Sequence, residues 1–106
     1  MNPDQLRGNL DLILLSVLDK EALYGFRIIQ EAKVRSEGYF DFKEGSLYPA
    51  LHRLTQDGLL GTEEREIGRN GKPRKYYFLT ERGREALSRK RAEWREFKGA
   101  LDGLTE

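Results

Sequence analysis

The stretch from Glu44 to Leu60 constrains the fold more tightly than any other part of the chain. Leu47, Ala50, Leu51 and Leu54 recur at i, i+3, i+4 and i+7, the spacing that lines one face of a helix. Ser46 stands where a side-chain oxygen caps a first turn, so the helix is predicted to start near it. Pro49 would then be the third helical residue, where no intrahelical donor is needed. Pro49 also rules out a full capping box, having neither the N–H nor the glutamate side chain that box requires. Gly58 fits the left-handed position that closes a helix. The outer side is left to Tyr48, Pro49, His52, Arg53 and Gln56.

A ribbon follows directly. Leu59 to Ile67 reads as one strand and Arg74 to Thr80 as its partner, with Asn70-Gly71 as a tight-turn signal inside a longer polar loop. Tyr76 and Phe78 point one way and Tyr77 and Leu79 the other, so the base of the ribbon is expected to pack on both faces. Arg69, Lys72, Arg74 and Lys75 put positive charge at the tip with no acid among them. A short helix with one apolar face, then a β-ribbon with a basic tip, is the outline of a winged helix-turn-helix.

The flanking segments complete an α+β, mainly α, architecture. A first helix is expected from Pro3 or Asp4 to Leu18. Leu6, Leu10, Ile13, Leu14 and Val17 form its main stripe, while Leu12 and Leu15 add apolar surface on another side. Such a helix is covered on two sides, either wholly by its own domain or in part by a second subunit. A second helix is expected from Leu23 to Val34, with Gly25 allowing close approach of another helix, and Ser36-Glu37-Gly38 ends it. Phe40 and Phe42 alternate with Asp41 and Lys43, which predicts a small strand beside Tyr39. Thr80 caps a last helix reaching Lys98 or beyond. Along it Leu87, Trp94 and Leu101 recur every seventh residue, with Phe97 and Leu104 at the other seam position. The expected organisation is a winged-helix domain over residues 1–79 and a dimerisation helix over residues 80–106.

Composition narrows the function classes. The chain has 106 residues, enough for one domain with a modest core that a partner subunit would help to complete. Its net charge of +1 excludes a disordered polycation but not a locally clustered DNA-binding surface. The absence of cysteine removes disulfides and cysteine-ligated zinc, and a single histidine makes a metal site within one chain unexpected. No cofactor is expected. The polar N-terminus lacks a basic leader, and the longest apolar run, Leu12 to Leu15, is far too short for a bilayer. A cytoplasmic protein with no membrane contact is expected.

A helix enters the major groove with its outer residues toward base edges, and a helix N-terminus attracts phosphate. Gly45 and Ser46 stand at that end. Tyr48, His52, Arg53 and Gln56 offer donors, and each wing cation that meets a phosphate makes binding salt-sensitive. A solvated face accounts for either element alone; the two in this order favour duplex DNA. The alternative is a winged helix used only for protein–protein contact, against which the basic wing tip speaks. His52 has no paired nucleophile or acid in the sequence, so no enzyme is expected. Trp94 suits a helix–helix interface, or a platform on which a planar ligand stacks. The mixed charges of the last helix, including Glu85 and Arg89, read as a solvated face.

Taken together these residues resemble the PadR family of bacterial transcriptional regulators, in its short form with one C-terminal helix. The matching pieces are Leu23-Tyr24-Gly25, Gly45-Ser46-Leu47-Tyr48-Pro49-Ala50-Leu51, Leu54 to Leu60, and Arg74-Lys75-Tyr76-Tyr77-Phe78-Leu79-Thr80-Glu81 with Gly83. The resemblance implies a homodimeric repressor on a two-fold symmetric operator, released by a small-molecule effector. It implies a dimer interface between the last helix and the partner's first helix, which would draw on Leu10, Leu14, Leu87, Trp94, Phe97 and Leu101. It matches Ser46, Tyr48, Pro49 and His52 to the DNA-facing start of the family's recognition helix and Arg69 to Lys75 to its wing; with Gly45, Arg53 and Gln56 from the helix reading, the expected DNA-facing set is Gly45, Ser46, Tyr48, Pro49, His52, Arg53, Gln56, Arg69, Asn70, Lys72, Arg74 and Lys75. Leu12, Ser16 and Trp94 match an effector pore in drug-sensing relatives. Those relatives resemble one another in an acid one turn beyond the tryptophan; Lys98 stands there in this chain, which argues against a cationic planar drug.

Overall fold

Leu14, Leu15, Leu18, Ile28, Leu47, Leu51, Leu54 and Leu87 are fully buried together, and every other element is placed by how it covers them. The structure is a computed structural model that describes residues 3–67 and 71–106, with the side chains of residues 9–66 and 71–106. Its elements are α1 (Pro3–Val17), β1 (Leu23–Tyr24), α2 (Gly25–Arg35), α3 (Glu44–Gln56), β2 (Leu60–Ile67), β3 (Lys72–Leu79) and α4 (Glu81–Thr105). The three strands form an antiparallel sheet in the order β1-β3-β2. This is the mainly helical winged-helix architecture expected from the sequence.

Leu23 and Tyr24 are not helical. They pair with Tyr77 and Tyr76 of β3, and this pairing delays the start of α2 to Gly25. The strand expected around Phe40 and Phe42 does not form either, because no neighbouring strand meets it. Instead the Ser36 hydroxyl donates to the Ala32 carbonyl at 2.6 Å and accepts from the Phe40 N–H at 2.8 Å. Phe42 is thereby turned into the core.

Helix α3 begins two residues before the expected cap. Lys43 is its N-cap, without a side-chain bond, and Ser46 lies inside the first turn. Pro49 is therefore interior and leaves the Gly45 carbonyl without its i+4 donor, at a surface position where water can serve. The inner face is as expected, with Leu47, Ala50, Leu51 and Leu54 buried. At the other end Gly58 adopts φ +80°, while Gly58 N–H meets Thr55 O at 3.1 Å and Leu59 N–H meets Leu54 O at 3.0 Å. That is a Schellman closure. It turns the chain directly into β2.

The ribbon pairs Leu60 with Leu79 at its base and Ile67 with Lys72 at its far end. One face carries Tyr77 and Leu79 into the core. On the other, Tyr76 packs edge-on against Tyr24 at 5.4 Å and lies under the Arg65 guanidinium at 4.5 Å. Arg74 stacks over Tyr24, also at 4.5 Å. The aromatics on both faces thus serve two layers, one apolar and one capped by cations.

Thr80 caps α4 as expected: its hydroxyl accepts from Gly83 N–H at 3.0 Å and donates to Gly58 O at 2.6 Å. Only Gly83, Ala86 and Leu87 of this helix are buried. Leu14 and Leu87, expected at a dimer interface, are instead enclosed in the chain's own core, at 0 % and 2 % exposure. Leu10 packs against the edge of the same core. Beyond Leu87 the helix runs on with Trp94, Phe97, Leu101 and Leu104 exposed.

Candidate nucleic-acid interface

The residues expected to face DNA divide into four groups, with Arg53 alone in the last. On α3, Gly45, Ser46, Tyr48, Pro49, His52 and Gln56 are all exposed on the side away from the core. On the ribbon, Lys72, Arg74 and Lys75 are exposed on β3. Arg69 and Asn70 lie outside the described residues.

Arg53 is exposed but already engaged. Its Nη2 donates to Asp11 Oδ1 at 2.6 Å and its Nη1 to Asp11 Oδ2 at 3.1 Å, tying α3 to α1. The hydrogen bond to Asp11 raises the guanidinium above its usual value, so the side chain stays charged and paired. Its guanidinium stays about half exposed on the outer side of α3 while so paired.

Tyr48 joins the helix to the ribbon. It borders a recess of about 360 Å³ together with Tyr24, Gly25, Tyr77, Arg74 and Lys75. A Cβ placed on Gly25 would lie 2.4 Å from the Tyr48 hydroxyl oxygen. The close approach anticipated at Gly25 is therefore real, and its partner is the tyrosine of α3. Tyr24 and Tyr77 were absent from the sequence-derived site. The only signal for Tyr77 was its place in the Tyr76-Tyr77-Phe78 run, which reads equally well as sheet packing.

A second, larger groove of about 950 Å³ lies between α1, the end of α2 and α4. Leu12, Ser16 and Trp94, expected around an effector, all line it. Trp94 and Phe97 stack with ring centroids 6.2 Å apart, and Leu101 continues the same wall. Arg91 borders it and reaches back to Asp19 at 3.2 Å. Lys98 pairs along its own helix with Asp102 at 2.9 Å.

Residues 14–89 match the Transcriptional regulator PadR-like family, a stretch from the last turn of α1 into the first half of α4. The chain belongs to the PadR-like family of transcriptional regulators. An uncharacterised protein from Lysinibacillus sphaericus is 35% identical over 103 residues, 97% of this chain and 94% of that protein. A transcriptional regulator from Clostridium thermocellum, Cth-833, is 29% identical with a TM-score of 0.85, over 97% of this chain and 99% of that one. Bacillus subtilis PadR, solved in complex with operator DNA, is 28% identical with a TM-score of 0.67, over 74% of this chain and 44% of that one. Among the described residues no helix is long and apolar enough to cross a membrane.

Proposed function

We propose that this PadR-like regulator is a homodimeric repressor that binds a two-fold symmetric operator and is released by an effector. The observation that carries the reading is the junction at Tyr48. The outer face of α3 and the cations of β3 meet around one recess, so a groove-reading helix and a backbone-gripping ribbon act as one surface. The operator complex of the Bacillus subtilis relative supports the same use of the fold.

In this reading residues 1–79 hold the DNA-facing parts and residues 80–106 the dimerising helix. Trp94, Phe97 and Leu101 support a helix-to-helix pairing, because no residue of α4 beyond Leu87 is buried in its own chain. An exposed apolar row of this length is costly in water and typical of a surface that a second copy covers. The groove bordered by Leu12, Ser16 and Trp94 would lie at that pairing and offers an aromatic wall to an effector.

Selection of bound fragments from the source genome by the purified protein tests the proposal. Enriched fragments are expected to share two inverted half-sites about one helical turn apart. Fragments with no shared inverted repeat would contradict the dimeric operator reading.

A further inference from the structure

The groove between α1, the end of α2 and α4 carries an unbalanced charge. No carboxylate among the described residues lines it, whereas Arg35 and Arg91 both do. Both guanidiniums approach the same end of α1. Arg35 Nη1 reaches the Val17 carbonyl oxygen at 3.5 Å, the outer limit of a hydrogen bond, and Arg35 forms no ion pair among the described residues. Arg91 Nη2 donates to Asp19 Oδ2 at 3.2 Å, but the other oxygen of that carboxylate already accepts from Arg84 Nη1 at 3.1 Å. Two guanidiniums therefore share one carboxylate, and a third beside them has none.

Next to these cations stands an apolar wall. The rings of Trp94 and Phe97 lie 26° from parallel, and Leu12 and Leu101 line the groove with them. Such a wall takes the face of a flat ring.

We infer that the groove takes a planar aromatic carboxylate, its ring against Trp94 and Phe97 and its two oxygens toward Arg35 and Arg91. A guanidinium offers parallel N–H donors to a carboxylate, and the contact strengthens as water is excluded. A second copy laid over the exposed row of α4 would exclude that water and leave Arg35 in need of an anion. The bound carboxylate also competes with Asp19 for Arg91. That tie joins α4 to the turn after α1, so the ligand acts on the joint between the dimerising helix and the DNA-facing domain. This inference rests on the effector reading above and names the chemical class its site accepts.

The test is isothermal titration calorimetry of the wild-type chain with three probes of one shape: 2-naphthoate, the neutral naphthylmethanol and the cationic naphthylmethylammonium. Naphthoate is expected to bind about tenfold tighter than the alcohol, the scale of one hydrogen bond to a charged group, and the ammonium weakest. Arg35→Gln should lower naphthoate affinity about tenfold and leave that of the alcohol unchanged. Asp19→Asn should raise naphthoate affinity, because it frees Arg91. The indole N–H signal of Trp94, the only tryptophan in the chain, should move on addition of naphthoate. Tightest binding by the ammonium would overturn the inference. So would an Arg35→Gln chain that loses acid and alcohol alike, since Arg35 would then only support the fold, or naphthoate binding that leaves the Trp94 signal still. A wild-type chain that dimerises and binds duplex, yet takes none of the three probes, would sink this site alone. A chain that takes naphthoate but stays monomeric and binds no duplex would sink the repressor reading and keep the site. Arg91→Gln carries the same comparison of acid with alcohol should Arg35→Gln not fold.

Discussion

Asp11 on α1 grips Arg53 on α3 through two hydrogen bonds, one to each carboxylate oxygen. The pair is half exposed, so its contribution to stability is modest, about 0.5–1 kcal/mol. Its larger effect is on charge, because it neutralises a guanidinium on the outer face of α3, the face proposed to meet DNA. Arg53→Ala is therefore expected to leave the salt slope of duplex binding unchanged, whereas Asp11→Ala frees a cation and steepens it. A slope flattened by Arg53→Ala would mean that Arg53 touches phosphate after all.

The junction of ribbon and last helix depends on Thr80 and Gly83. Thr80→Ala removes a cap and a bond to Gly58, at a cost of about 1–2 kcal/mol. Gly83→Ala is expected to cost more, about 2–3 kcal/mol, because its Cβ would lie 2.0 Å from the Leu59 carbonyl oxygen. Thermal unfolding of the two variants gives the ranking. Equal melting temperatures would show that the chain relaxes around an alanine there.

Much of this fold is legible in the sequence. The Leu47, Ala50, Leu51 and Leu54 stripe announces α3, and Gly58 its end, because both signals are local. What escapes is non-local. Leu23-Tyr24 is too short to show a period, and its strand partners lie beyond α3 and β2. Seven-residue spacing identifies an apolar row on α4, but spacing cannot tell whose core a position faces. Leu87 is enclosed in its own chain's core, and Trp94 stands half exposed on the wall of an open groove. Arg53 sits on the outer side of α3 as the helical spacing says, yet its partner comes from α1. The recess at Tyr48 joins four elements, and only the close-packing glycine hints at it.

That distinction along α4 makes a second pair of variants informative. Leu101→Asp changes an exposed residue and is expected to give a folded monomer with weakened duplex affinity. Leu87→Asp puts a charge into the core and is expected to prevent folding. Sedimentation and circular dichroism separate the two. A dimer that survives Leu101→Asp would place the interface elsewhere.

Tyr77 gives the chain an alkaline limit. Burial raises its phenol above the ordinary value of about 10, so the unfolded chain releases that proton first. The stability this protects is present below the ordinary value and is lost as pH rises through the folded one. Urea unfolding between neutral pH and about pH 11 should show a decline that is shallower in Tyr77→Phe. Parallel curves for the two chains would mean that Tyr77 ionises freely in the fold.

The most direct measurement is a salt titration of duplex binding with stoichiometry read at the same time. The account predicts two chains per duplex, with log affinity falling linearly against log salt by about 0.9 for each phosphate neutralised. A chain that stays monomeric, or that binds no duplex at low salt, would contradict it.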